Sequence, residues 1–272
     1  MNTYLEKVNN GRNSWKAYIS TIVVAVAGIA IGGLIFGVLT PFMKSIFPNG
    51  EFGKSIGTFV IIGGTFGFGL LGFLFGFKKF YQRPIMSLFG SLEKFNFSLY
   101  TKGFLIYGFL IFAINLVTEF NTFQNFKENF NFSNFLVLAT IGFLCLGLQS
   151  FFVEILFRSY LLQGMSLKIK RILWLVILNG FLFGMFHLGY GVESFIQNFL
   201  FGLVSTLITL KLGQIEFVAG AHNANNLVLS LVFVNLNEEI ESNFSWEIDW
   251  IYLSLDILAY AILIFIIYKL FK

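Results

Sequence analysis

Three short stretches hold side chains whose type and spacing could do chemistry. "FFVEILFRSY", residues 151–160, sets Glu154 and Arg158 four apart in an otherwise apolar run, so on a helix they share a face and can pair. "FGMFH" ends on His187, while "HNANN" begins with His222 and closes on Asn226, again four apart; these are the chain's only two histidines. A carboxylate or an imidazole can take a proton from water. Two histidines on helices can also bind a divalent metal such as zinc, and an amide beside a histidine can donate hydrogen bonds to a developing oxyanion.

Each group also has a plain structural reading. Glu154 and Arg158 could be a buried ion pair, or an arginine snorkelling from a helix end. His187 could be a satisfied core histidine, and Asn226 a hydrogen bond between helices. Asp256, in "LSLDILAY", could carry protons, but no motif surrounds it, and a structural hydrogen bond is the expected role. Cys145, the single cysteine, reads as packing.

The elements that must position these residues are set by composition. The chain is 57% hydrophobic and 19% aromatic, only 12% is charged, and the mean hydropathy is +0.79. A soluble domain carries about a quarter charged residues, so the chain reads as an integral membrane protein with no soluble domain and no nucleic-acid partner. Its 272 residues hold about eight spans of ~20 residues. The expected fold is all-α, a polytopic membrane helix bundle of about eight transmembrane helices forming one domain over 1–272. Apolar runs lie near 17–40, 55–77, 103–118, 135–157, 172–189, 195–210, 215–234 and 250–268. The first is expected to be retained as a span, since it is too long for a signal-peptide core.

Placing the N-terminus in the cytoplasm puts fourteen of the eighteen basic residues inside, leaving Lys44, Lys54 and Lys127 outside and Arg158 within a span. Basic loops stay on the cytoplasmic side, so both termini are expected there, with the acidic run at 237–249 outside. The net charge of +4 is then a loop property. The basic segment 80–102 is expected along the inner membrane surface, and the Asn/Phe-rich loop 121–134 outside, dipping into the interface. Glycines four apart, such as Gly28/Gly32 and Gly72/Gly76, predict close helix packing.

With "VEILFR", "FGMFH" and "HNANN" in that order on separate apolar runs, residues 149–230 resemble the core of the CPBP family. This family, also called Abi, contains CAAX prenyl proteases and bacteriocin-processing enzymes. Its pattern is E-E-x-x-x-R, then F-x-x-x-H, then H-x-x-x-N. The resemblance implies an intramembrane endopeptidase of bacterial plasma membrane, acting on membrane-associated proteins or peptides in the lipid bilayer. It implies catalytic roles for His187, His222 and Asn226, with Arg158 holding the site together; Glu154 is the candidate catalytic carboxylate as a displaced base. A metalloprotease reading, with zinc or another divalent metal at His187 and His222, is one version of that mechanism; metal-free water activation is the other.

Two positions depart from the pattern. Val153 stands where the first glutamate would be, about 100° around the helix from Glu154. Ser159 stands where a glycine often follows the arginine. Span counting also separates the histidines in depth, because His187 is sixteen residues from Arg171 and His222 only six from Glu216. The sequence thus supports a protease with a displaced carboxylate, or a non-catalytic scaffold or immunity protein of the same fold. A proton-coupled transporter ranks below both, for want of an internal repeat.

Overall fold

The computed structural model describes residues 3–46, 50–90, 95–233 and 244–271. Of the residues expected in the loops, 237–243 of the acidic run, Lys94 and Lys272 lie outside the described residues. All the longer elements among the described residues are helices, with one isolated bridge between Gly90 and Gln214.

The helices run in chain order as α1 (Thr3–Glu6), α2 (Trp15–Ile46), α3 (Glu51–Gly76), α4 (Phe97–Thr118), α5 (Phe120–Glu128), α6 (Phe132–Ser166), α7 (Ile172–Met185), α8 (Val192–Leu212), α9 (Glu216–Val228) and α10 (Trp250–Leu270). Local sequence sets their ends. The side chains of Asn96, Asn131 and Asp249 accept hydrogen bonds from the first-turn amides of α4, α6 and α10. Gly213, at φ +66°, ends α8 in the left-handed conformation that glycine adopts without strain.

Six helices among the described residues are long and apolar enough to cross a membrane: α2, α3, α4, α6, α8 and α10. The remaining two apolar runs form shorter helices. α7 has 14 residues, about 21 Å of rise against a hydrocarbon core of ~30 Å. α9 has 13 residues and continues as a five-residue π-helical turn, Leu229–Phe233. The result is a polytopic helical bundle.

α2 and α3 form an antiparallel hairpin, Gly28 lying against Phe68 and Gly76 against Thr21. α4 and α9 run parallel: a Cβ at Gly103 would overlap the Phe217 carbonyl, one at Gly220 the Tyr100 carbonyl, and Gly108 faces Ala224. This register sets the start of α9 beside the first turns of α4, where Asn96 N–H donates to Glu216 Oε1 (3.1 Å), and brings His222 and Tyr107 to one cavity. The two histidines, separated by span counting, thus line the same cavity.

The segment expected along the surface instead tucks beneath the bundle. Leu88 is fully buried, Ile215 N–H donates to Phe89 O (3.3 Å), and the buried Arg83 donates to Ser87 O (2.9 Å) and Gln163 Oε1 (2.5 Å). Desolvation pulls the Arg83 guanidinium below its usual pKa, and these bonds hold its charge in place. The loop expected at 121–134 is largely the short helix α5, whose Phe123 packs on Phe112 and Phe233.

Candidate active site

Glu154 is the last α-helical residue before a π-helical stretch in α6, Ile155–Leu161. Such bulges recur at functional sites because they re-aim the side chains around them. Glu154 and Arg158 are both fully buried, with Arg158 Nε 3.2 Å from Glu154 Oε2. The other carboxylate oxygen, Oε1, lies 2.7 Å from Nδ1 of His222. The expected ion pair is therefore present, and it extends into a triad of arginine, carboxylate and imidazole.

Phe183, the first residue of the F-x-x-x-H motif, explains why that motif needs an aromatic. Its ring centroid lies 4.5 Å from the Arg158 guanidinium carbon, 4.9 Å from the His187 ring and 6.0 Å from the His222 ring. One ring thus offers a π face to the buried cation and spaces the two imidazoles. Asn179 fixes this helix, donating to Phe157 O (2.8 Å) and accepting from Thr206 Oγ1 (2.9 Å). His187 follows α7 in the turn that reverses the chain, with Nδ1 2.9 Å from Phe183 O.

The two imidazoles are held alike. A backbone carbonyl only accepts, so Nδ1 of His187 carries the proton and donates it. A carboxylate paired with Arg158 also only accepts, which fixes the same tautomer on His222. In its neutral form each ring then presents an unprotonated Nε2, an acceptor and a base.

His187, His222 and Asn226 line one cavity of about 230 Å³. Asn226 Nδ2 donates to Gln149 Oε1 at 2.9 Å, and Gln149 lines the same cavity. Glu154 and Arg158 are not among its lining residues; they stand behind His222. Val153 is partly buried and packs against the apolar core, on the helix stripe of Gln149. Its replacement of a carboxylate leaves the Glu154–His222 pair intact.

Ser159 has a structural reason. Its hydroxyl donates to Leu88 O and lies 2.6 Å from the Tyr4 hydroxyl, which also donates to Arg158 O at 3.0 Å. A glycine there would lose the tie between the N-terminal segment, the tucked segment and α6.

Sequence reasoning passed over Gln149, Asn179 and Asn223. Asn223 Nδ2 donates to Tyr100 OH (2.7 Å), and its amide lies against Gly147. The available signal was an amide in the middle of an apolar run. Among the described residues no three histidine, cysteine, aspartate or glutamate side chains gather into a metal site. His187 and His222 alone would give a metal two protein ligands, where catalytic zinc takes three.

Comparison with known proteins meets this geometry in the same region. Residues 132–228 match the family described as Type II CAAX prenyl endopeptidase Rce1-like. The chain is 25% identical over 251 residues to "Uncharacterized protein YyaK" of Bacillus subtilis (strain 168), covering 87% of this chain and 84% of that protein. No solved structure matches. All three motifs fall inside the matched segment, so it is over residues 132–228 that this membrane chain is similar to the Type II CAAX prenyl endopeptidase Rce1-like family.

Proposed function

We propose that the chain is an intramembrane endopeptidase that cuts membrane-associated proteins or peptides by activating water at His222. The observation that carries this reading is the 2.7 Å contact between His222 Nδ1 and Glu154 Oε1, which leaves the opposite ring nitrogen free on a residue lining the cavity. Nε2 of His222 takes a proton from water as its oxygen attacks the scissile carbonyl. Glu154 stabilises the imidazolium that forms, and Arg158 holds the second carboxylate oxygen. The Asn226 amide donates to the tetrahedral oxyanion. Collapse breaks the C–N bond, and His222 returns the proton to the leaving amine. His187, with the same tautomer, accepts the second hydrogen of the attacking water and orients it.

Glu154 is thus a positioning residue, and Val153 need not be acidic for the chemistry. No step passes through a metal. Basic loops on one side support a plasma-membrane setting with both termini cytoplasmic. The alternative, a non-catalytic scaffold or immunity protein, rests on Val153.

The test is hydrolysis of membrane-inserted peptides by the purified protein in liposomes, run in ¹⁸O-labelled water. New fragments carrying the label in the fresh carboxyl group, formed equally with and without a chelator, are the expected result. Intact peptides across a broad panel would reject the protease reading in favour of the scaffold.

A further inference from the structure

Asp256 plays no part in that chemistry, yet it lines the same cavity. It is 4% exposed, in the middle of α10, and among the described residues no hydrogen bond reaches its carboxylate. The structural hydrogen bond expected for it is absent there. An unpaired carboxylate so buried is costly, and a cationic partner from outside the chain would relieve it.

The surroundings indicate which partner. Tyr252 and Tyr260 lie one turn before and after Asp256, on its helix face, and both line the cavity. Tyr107 of α4 also lines it, its ring stacked on Tyr260 at 6.2 Å. An acid ringed by aromatics suits a cation. The cavity adjoins a wider recess of about 510 Å³, with which it shares Gln197, Leu229 and Tyr252. That recess is lined by Glu119, Glu193, Glu247 and Asp249, and among the described residues no lysine or arginine lines either space. A mouth of one sign draws cations inward and turns carboxylates away.

We propose that Asp256, with Tyr107, Tyr252 and Tyr260, forms a subsite for a cationic group of the substrate peptide, a lysine or arginine side chain or a free amino terminus. This deepens the protease reading and rests on it, placing the positive group beside the bond presented to His222. A substrate offering its carboxyl terminus to this mouth would be disfavoured.

The test is equilibrium binding to the full-length His222→Ala protein in lipid nanodiscs, so that cleavage does not enter. The probes are fluorescent apolar membrane peptides, acetylated at the N-terminus and differing only in one central residue: lysine, glutamine or glutamate. A further glutamine peptide has its amino terminus free. The lysine peptide, or the free-amine peptide if the terminus is the source, should bind about ten- to a hundredfold more tightly than acetylated glutamine, the range for a hydrogen bond to a charged group. Asp256→Asn in the same background should erase that ratio, and Asp256→Glu should keep part of it. Equal binding of all probes, no binding of any, or a preference that survives Asp256→Asn would each overturn the subsite. Cleavage by the native protein is scored separately: a cation preference without hydrolysis would refute the protease reading and leave the subsite standing.

Discussion

The α2–α3 hairpin and the α6–α9 core solve the same packing problem with different materials. In the hairpin, Gly28, Gly32, Gly72 and Gly76 bring two backbones together, and the outward faces are bare apolar side chains such as Val38 and Leu71. The core uses the same device where α4 meets α9 at Gly103 and Gly220, then adds hydrogen-bonded amides and an ion pair. Small residues suffice to hold helices together in lipid. Polar groups are added where the helices enclose a cavity and hold two imidazoles by Nδ1.

That contrast can be broken most severely at the ion pair. Glu154→Ala should leave Arg158 buried without its counter-charge and destabilise the protein by about 3–5 kcal/mol, with Arg158→Leu added in the same chain restoring most of the loss. Chemical denaturation in mild detergent, followed by tryptophan fluorescence, would measure both. If the double variant is no more stable than Glu154→Ala, the pair is not the self-contained unit described here.

Packing comes next. Gly220→Leu would drive a side chain into the Tyr100 carbonyl and should cost about 1–3 kcal/mol or more. Gly37→Leu meets nothing within 4 Å and should stay within about 0.5 kcal/mol of the native chain. Thermal unfolding of the two variants side by side checks the difference, and equal losses would remove the distinction between the α4–α9 seam and the uncrowded face of α2 at Gly37. Smaller than the Gly220 effect is Tyr4→Phe, which removes a hydroxyl bonded to Ser159 and Arg158 O and should cost about 1 kcal/mol. Faster proteolysis confined to the N-terminal segment would report it.

Much of this architecture was legible in the chain. Apolar runs and end-capping Asn and Asp residues mark the helices, and the order Glu154, Arg158, His187, His222, Asn226 marks the core. That the two histidines meet was not legible, because the packing of α9 on α4 is set by glycines on two helices over a hundred residues apart. The tucked segment was hidden by Arg83, whose charge suggests a surface until Ser87 and Gln163 are seen to satisfy it. Glu154's partner was hidden as well: spacing along α6 shows Arg158, whereas His222 arrives from another helix through the α4–α9 seam.

The central claim is that Glu154 and His222 work as one unit despite Val153. The most direct measurement is the cleavage rate of a single membrane-inserted peptide by the native protein, His222→Ala and Val153→Glu. The account predicts cleavage by the native protein, a loss of about 10²–10⁴-fold in His222→Ala, as for removal of a general base, and no gain from Val153→Glu. Equal rates in the native protein and His222→Ala, or cleavage that appears only with Val153→Glu, would contradict it.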